Sequence, residues 1–534
     1  MVFSLAGWLP WLWSTSSGDY PYPRAYEYYL WLYQAALAAL VGFQAWVAGS
    51  GRAPTWWPVG EWSRPLVAAP ALLIIRALLM GHWAPPLAGL LLGLMIGAAR
   101  PWRRGTNTLR ARWWAAAPWL VFAFSAALAF GSGMRIYEQT GARFPLGSDD
   151  GDLYYNGAQR VAEDPRWFWT SSEADPNFVS FYYFIIGLWF RLIGHPHLPS
   201  WLAWQGLAAG CLALTVYWFG SRLGSRMTGL VAAGFVAADH VMLHLMGTLN
   251  MEVLSIPSLY VGLWLWVDAQ DAPASRRLNR CAAAGLWLGL STLFRPTAGL
   301  IPLLLIGLLM WERPKLSWSQ IRVQGSRLLA GFALPMLIMI VRNRFLWGHW
   351  TLGQSRGSRL SWLANYAWDI QGQHPATIGL GPWLKLVAAD PSVIWREMMP
   401  NWWNQILFLW THYGFGQMDL IQGLNHLGRY QAALAVMLTA AVIAGIVCAL
   451  RRRSRGDLVT LALPVYFTAL AFVWYVINTR YRSPFIPALY LLACLGFQSA
   501  MTAIRARGPV APGRGVPSAA PPSEVSLTSV AANG

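Results

Sequence analysis

The strongest constraint on this chain is its series of apolar runs, most of them close to the roughly 20 residues that span a bilayer as a helix. Hydrophobic residues occupy 56% of the 534 positions, and too many runs lack a polar face for them to form a large soluble core. In lipid, the backbone must satisfy its own hydrogen bonds, and runs of this length do so as helices. The sequence therefore predicts an all-α polytopic membrane protein.

The arginine residues predict how these helices alternate across the membrane. A net charge of +18 could indicate nucleic acid, yet the arginines form short clusters between apolar runs, as topology signals do. We therefore expect membrane lipids as partners and no nucleic acid. By the positive-inside rule, the cytoplasmic side has six clusters, at 100–112, 222–226, 276–280, 313–327, 451–455 and 505–514.

The clusters fix ten spans with alternating direction. These are predicted at 113–134, 200–221, 227–246, 251–268, 281–295, 298–311, 327–346, 428–450, 457–478 and 484–501. Three further spans within 28–48 and 66–99 raise the expected number to about 10 to 13 transmembrane helices.

This topology divides the chain into three parts. Residues 1–112 hold the extra N-terminal spans and a basic cytoplasmic loop, and 113–506 form the main transmembrane domain. Residues 507–534 are predicted to be a disordered cytoplasmic tail, because proline, glycine, alanine and serine dominate there.

Two large loops of the main domain are predicted on the outer side, at 135–199 and 347–427. Each contains an apolar segment, at 178–194 and 393–414, that we interpret as an amphipathic helix lying on the outer leaflet. If 178–194 crossed the membrane, the arginine cluster at 222–226 would lie outside, against the positive-inside rule.

The first outer loop contains an acidic cluster, although the chain has only 22 acidic residues. The stretch "GSDDGDLYYNGAQRV" (147–161) holds Asp149, Asp150 and Asp152. A solvated turn is one interpretation, since glycine and serine surround the acids. The alternatives are a divalent metal site beside a diphosphate or a general base acting on a hydroxyl group. A calcium loop is disfavoured because the twelve-residue spacing and its closing glutamate are missing.

Candidate metal ligands are few. His240 and His244 in "DHVMLH" lie four residues apart on one helix face and could hold zinc, with Asp150 as a further candidate ligand. The segment has no matching third ligand, and hydrogen-bonded structural histidines are the alternative. We keep a divalent metal (magnesium, manganese or zinc) as a candidate cofactor.

Several arginines break the positive-inside rule by standing at outer helix ends. They are Arg295 in "LFRPTAGL", Arg342 and Arg344 in "VRNRFLWG", and Arg480 and Arg482 in "NTRYRSP", with Tyr481 between the last two. A guanidinium is costly there unless it meets an anion, and arginine binds phosphate in a bidentate manner. The alternative is that these side chains extend to outer headgroups.

Glu252 in "GTLNMEVLS" is the corresponding acid, at the outer start of an apolar helix. It is either part of the same substrate-binding set or a carboxylate that stabilises a helix N-terminus.

Five stretches, in this order, resemble the polyprenyl-phosphate-sugar-dependent glycosyltransferases of the GT-C superfamily. The resemblance is to the family 39 type, which includes protein O-mannosyltransferases and lipid A aminoarabinose transferases. The stretches are "DDGDLYYNGAQRVAED", "FYYFIIGLWFRLIG", "GLWLGLSTLFRPTAGLIPL", "VRNRFLWG" and "RYRSPFIPALYLLA". The chain departs from that family in having Asp149–Asp150 where Asp-Glu is frequent and "DPNFVSF" where His-Pro-Pro is frequent, so donor and acceptor could differ.

The resemblance implies a GT-C-type bundle that transfers a hexose or pentose from a polyprenyl-phosphate donor to a hydroxyl group, with inversion. It implies that Asp149 is the catalytic base, with Asp150 beside it, in a multi-pass protein of the bacterial inner membrane whose site faces the periplasm. The acceptor could be a protein, a lipid or a glycan.

Two other functions are compatible with an arginine-rich outer face. A transporter or flippase for a lipid-linked sugar predicts ionisable groups near the bilayer centre and an internal repeat, and neither is evident. An O-antigen ligase or polymerase would use outer arginines without requiring the aspartate pair.

Overall fold

The computed structural model describes residues 107–139, 151–171, 179–311, 316–348, 350, 370–373, 375–400, 429–473 and 483–506. The spans predicted within 28–48 and 66–99 and the predicted tail at 507–534 lie outside these residues. The described part is all-α and contains no strand beyond one isolated bridge between Ile370 and Gln373.

Each of the ten spans predicted between 113 and 501 overlaps helical structure, and residue 428 and residues 474–478 of these spans lie outside the described residues. The helices are α1 (Asn107–Gln139), α2 (Gly151–Glu163), α3 (Trp167–Thr170), α4 (Val179–Ile193), α5 (Leu198–Leu223), α6 (Arg226–Ala238), α7 (His240–Met246), α8 (Glu252–Gln270), α9 (Ala274–Phe294), α10 (Ile301–Trp311), α11 (Trp318–Trp347), α12 (Pro375–Ile378), α13 (Leu380–Ala389), α14 (Arg429–Arg452), α15 (Arg455–Val473) and α16 (Ile486–Ala506). Short 3₁₀ turns precede α10 and α16, at Pro296–Ala298 and Ser483–Phe485.

Four described segments are long and apolar enough to cross a membrane, judged by length and composition. These are Trp114–Met134, Leu198–Leu223, Trp318–Leu346 and Ser483–Thr502, and shorter apolar helices lie at Phe181–Ile193, Arg226–Ala238 and Pro296–Trp311. The prediction of an all-α membrane protein is confirmed, and the number of 10 to 13 spans stays a prediction.

The span predicted at 227–246 is not one helix, because the chain leaves helical geometry at Asp239. The Asp239 carboxylate accepts a hydrogen bond from the Met242 backbone N–H (3.0 Å), which caps the first turn of α7. Its second oxygen accepts from the Tyr490 hydroxyl (2.7 Å) on α16. Asp239 is thus stabilised within an apolar run because its carboxylate caps α7 and bonds to α16.

The largest core lies between α1, α5, α6, α8, α9 and α16, where apolar side chains are almost completely buried. Helix α8 illustrates why: buried residues occur around its entire circumference, as expected for a central helix of a bundle. The neighbouring pairs α9–α11 and α14–α16 extend the bundle on either side.

One end of the bundle is held by ion pairs between arginines and aspartates of neighbouring helices. Arg222 at the end of α5 contacts Asp268 and Asp271 (2.8 Å for Asp271), and Arg280 on α9 also contacts Asp268. At the same end, Arg452 of α14 contacts Asp457 of α15 (3.0 Å).

Backbone contacts complete this arginine-rich end. Arg452 also donates to the carbonyl of Leu223 in α5, and Arg455 donates to the carbonyl of Gln270 in α8 (3.2 Å). Three of the clusters predicted to share one side of the membrane, at 222–226, 276–280 and 451–455, therefore meet at one end of the fold.

A second core covers the opposite end, where α2, α3 and α4 pack on α5, α9 and α11. Helix α4 confirms that 178–194 forms a helix; it buries Phe181, Tyr182, Tyr183 and Ile186 and exposes Leu192. Of the helix predicted at 393–414, residues 393–400 are described, and Ile394–Met398 is a π-helical turn.

The contact between α2 and α4 depends on glycine. A Cβ atom added to Gly187 would lie 2.5 Å from Val161 Cβ and 2.6 Å from the Ala158 carbonyl oxygen. Both neighbours belong to α2, and a backbone carbonyl cannot move aside cheaply, so the two helices approach this closely only because position 187 has no side chain.

We therefore expect Gly187→Ala to destabilise the folded protein by about 1–3 kcal/mol, because it overpacks this contact. Thermal unfolding of the purified protein measures the effect. Gly307→Ala on α10 is the matched control: nothing lies within 4 Å of its added Cβ, so better helix propensity should leave stability equal or slightly higher. Equal melting temperatures for the wild type and Gly187→Ala would contradict the close α2–α4 packing.

Candidate active site

A buried ion pair lies at the end of the bundle opposite the arginine-rich end. Glu252 is the first residue of α8, and Arg295 follows the last residue of α9. Arg295 Nη1 donates to Glu252 Oε1, and the two side chains are 3% and 0% exposed. The structure thus brings together two residues that the sequence predicted separately as substrate-binding candidates.

Burial makes this pair energetically sensitive. Each ion separately would lose several kcal/mol of hydration, which only a close and well-bonded partner offsets. The position at α8 also favours a carboxylate, because helix N-termini carry a partial positive charge. The pair therefore fixes two charged groups where the start of α8 lies beside the end of α9, beneath the second core.

Arg342, the next candidate arginine, is completely buried near the end of α11. Its Nε donates to the carbonyl of Phe168 (2.9 Å), Nη1 donates to Asn343 Oδ1 (3.1 Å), and Cζ lies 4.4 Å from the centre of the Phe168 ring. Phe168 belongs to α3, within the predicted first outer loop. Arg342 thus joins that loop to the transmembrane helix α11.

The acid pair Asp149 and Asp150 lies outside the described residues, and so do Arg480, Tyr481 and Arg482. Their predicted roles stay predictions. The chain is described again from Gly151, where α2 begins, and from the buried residue Ser483.

The metal hypothesis gains no support from the described residues. His240 and His244 fall on the seven-residue helix α7, whose described neighbours include buried Val241 and Met242. Within the described part of the chain, no three histidine, cysteine, aspartate or glutamate residues come together in a way that could hold a metal ion. The divalent metal stays a prediction.

Three further polar residues at this end were not among the candidates that the sequence indicated. Asn343, Gln205 and Asn250 are buried, and each makes side-chain hydrogen bonds. A polar residue within an apolar run is itself a signal of a buried interaction. Gln205 in "LAWQGLAAG" carries that signal, whereas the contacts of Asn343 and Asn250 depend on the tertiary structure.

The fold is that of an all-α membrane protein, and part of the chain is similar to a known family. Residues 180–339 match the family model described as dolichyl-phosphate-mannose-protein mannosyltransferase. The match runs from α4 into α11 and includes both Glu252 and Arg295. It confirms the resemblance seen in the motifs and indicates a membrane glycosyltransferase of the GT-C type. None of the curated proteins matches the chain.

A double-mutant cycle tests the buried pair. We expect Glu252→Leu or Arg295→Met alone to destabilise the fold by about 3–5 kcal/mol, because each leaves one charge buried without its partner. The double variant should recover much of this stability, since two apolar side chains replace both charges. Thermal unfolding of the four proteins provides the coupling energy. Additive losses would show that the two residues do not stabilise each other.

The contacts of Arg342 predict a local effect. Arg342→Lys keeps the charge and loses the planar fork that reaches both Phe168 and Asn343. Hydrogen bonds from a charged donor contribute about 1.5–3 kcal/mol, so amide exchange in residues 151–171 should accelerate by roughly 10- to 100-fold. Hydrogen–deuterium exchange measures this. Arg344→Lys, at an exposed position on the same helix, should leave these amides unchanged, and equal exchange in both variants would exclude Arg342 as the anchor.

Proposed function

We propose that this glycosyltransferase moves a sugar from a polyprenyl-phosphate donor to a hydroxyl-bearing acceptor at the outer face of the bacterial inner membrane, with inversion at the anomeric carbon. The observation that carries the proposal is the buried Glu252–Arg295 pair. It lies inside the matched region, at the end of the bundle opposite the arginine-rich end.

The sidedness follows from the distribution of arginine. Arg222, Arg280, Arg452 and Arg455 meet at one end of the bundle. By the positive-inside rule this end faces the cytoplasm, so Glu252 and Arg295 belong to the outer, periplasmic side. A donor whose lipid chain stays in the bilayer presents its headgroup at this level.

The phosphate of the donor is already a good leaving group, so catalysis needs positive charge at the phosphate more than a strong general acid. We assign this role to Arg295, with Arg480, Tyr481 and Arg482 as further candidates from the sequence. A guanidinium has five N–H donors, so a bond from Nη1 to Glu252 is compatible with an anion at the same group.

The acceptor hydroxyl is a poor nucleophile until its proton is removed. In the proposed step the acceptor oxygen bonds to the anomeric carbon, and the bond from that carbon to the phosphate oxygen breaks with its electron pair. The proton passes to the carboxylate of Asp149. We assign acceptor or metal positioning to Asp150, with Glu252 as the anionic partner of Arg295.

Arg342 takes a different part in this proposal from direct phosphate binding. Its guanidinium is bonded to the Phe168 carbonyl and packed on the Phe168 ring. The same loop contains α2, which begins directly after Asp150 in the chain. We therefore infer that Arg342 is a positioning residue, which holds the loop of the acid pair against α11.

The test is transfer of radiolabelled sugar from polyprenyl phosphate into envelope fractions. Membranes containing the wild type, Asp149→Asn or no protein are compared at equal expression. Loss of a general base should lower the transfer rate by roughly 10²- to 10⁴-fold. The labelled product then identifies the acceptor as protein, lipid or glycan.

Asp152→Asn is the matched control, because Asp152 is an exposed carboxylate in the first turn of α2, and it should transfer label like the wild type. Equal transfer by the wild type and Asp149→Asn would exclude Asp149 as the base and favour an arginine-dependent ligase or polymerase. Movement of the donor across the membrane without transfer would instead favour a transporter.

A further inference from the structure

A group of polar side chains is buried between α4, α5 and the connection of residues 247–251 that leads into α8. We call Tyr182, Trp201, Gln205 and Asn250 the outer polar cluster. Each of the four is at most 3% exposed. Trp201 and Gln205 lie one turn apart on α5 and therefore share a face of that helix.

The two amides of the outer polar cluster are held in place through their nitrogen atoms. Gln205 Nε2 donates to the backbone carbonyls of Met246 (2.7 Å) and Thr248 (2.8 Å). Asn250 Nδ2 donates to the Thr248 hydroxyl. These bonds also fix the direction of the two amide oxygens, Gln205 Oε1 and Asn250 Oδ1.

Four polar atoms of the outer polar cluster have no hydrogen-bond partner among the described residues: Tyr182 Oη, Trp201 Nε1, Gln205 Oε1 and Asn250 Oδ1. The Tyr182 hydroxyl lies next to the Trp201 indole and the Asn250 backbone. A buried polar group without a partner is destabilising and requires an explanation. Such atoms on neighbouring buried residues point to a ligand.

We propose that the outer polar cluster binds the hydroxyl groups of the sugar that the donor carries. A sugar hydroxyl both donates and accepts a hydrogen bond. The outer polar cluster offers the matching groups: the indole N–H of Trp201 donates, the amide oxygens of Gln205 and Asn250 accept, and the Tyr182 hydroxyl does both. This inference rests on the proposed function.

The chemistry of the outer polar cluster argues against other ligands. An anion such as phosphate would meet two amide oxygens, which repel it. A lipid tail would leave all four polar atoms unsatisfied. A neutral molecule with several hydroxyl groups satisfies both the donors and the acceptors.

The location of the outer polar cluster fits the same assignment. The Tyr182 hydroxyl lies within electrostatic range of Glu252, and Glu252 is bonded to Arg295, the proposed phosphate ligand. In the donor, the sugar and the phosphate share one oxygen atom, so their binding groups must be neighbours. Because the outer polar cluster is closed to solvent in this structure, sugar binding requires α4 to separate from residues 247–251.

Tyr182→Phe tests this inference because it removes one hydroxyl and keeps the ring. The purified full-length protein is melted alone, with polyprenyl phosphate, and with polyprenyl phosphate carrying mannose, glucose or arabinose. We expect one sugar-bearing lipid to raise the wild-type melting temperature more than polyprenyl phosphate does. In Tyr182→Phe this difference in melting temperature should shrink, because the affinity for the sugar-bearing lipid falls by roughly five- to tenfold. The melting temperature without ligand should stay equal or rise.

Tyr260→Phe is the matched control, because the Tyr260 hydroxyl is fully bonded: it donates to the Pro484 carbonyl (3.1 Å) and accepts from the Ala488 N–H (3.0 Å). This variant should lose stability and keep the preference for the sugar-bearing lipid. Trp201→Phe is a second variant that removes an indole donor and should weaken sugar binding in the same direction as Tyr182→Phe.

The outcomes separate this inference from the proposed function. A wild type stabilised equally by polyprenyl phosphate and by all three sugar-bearing lipids overturns the sugar site, even if label is transferred. A Tyr182→Phe variant that loses stability and keeps the sugar preference also overturns it, since the hydroxyl would then be structural. Sugar preference without transfer of label supports the outer polar cluster and overturns the transferase reaction.

Discussion

The organisation of this protein depends on the free energy required to place a charge among apolar groups. In the described part of the bundle, buried carboxylates are found near helix ends, and most have an arginine within contact distance. Asp268 and Asp457 meet arginines at the arginine-rich end, and Glu252 meets Arg295 at the other. Pairing offsets part of the lost hydration, and the tightly packed core between the two ends contains mostly apolar side chains.

The two ends nevertheless serve different purposes. At the arginine-rich end the guanidinium groups are partly exposed. They bond to carboxylates and a backbone carbonyl of neighbouring helices. At the opposite end the ion pair is sealed under a second core formed by α2, α3 and α4. Sealing a charge strengthens its electrostatic interactions, which is consistent with the phosphate-binding role that we propose for Arg295.

The first outer loop is the element that connects these features. It contains the acid pair, contributes α2–α4 to the second core, and is joined to α11 by Arg342. Tyr182 of the same loop completes the outer polar cluster. In our proposal, the polar atoms of that cluster are retained for binding, because folding alone would not favour burying them without partners. The matched region, 180–339, includes the outer polar cluster and the buried ion pair.

Much of the fold could be predicted from the sequence, because hydrophobic runs and arginine clusters act locally. Apolar runs of this length form helices because their backbone must satisfy its own hydrogen bonds, so each predicted span between 113 and 501 overlaps helical structure in the described residues. The break at Asp239 was missed, because it depends on capping and on the Tyr490 hydroxyl from a distant helix. The motifs likewise indicated the class of enzyme, because a short stretch of sequence can be compared with a family without knowing how it packs.

The pairing of functional residues was decided only by the tertiary structure. The sequence indicated that Glu252, Arg295 and Arg342 stand at helix ends, and nothing local distinguishes an arginine that bonds a glutamate from one that bonds a carbonyl. Residues 43 and 174 positions apart meet in these contacts, and burial then determines their strength. Hydropathy and charge thus determined the membrane fold and the helix ends at which these candidate residues stand. Packing of α8 against α9, and of the first outer loop against α11, determined which side chains meet there, because contacts between distant segments exist only once the helices have assembled.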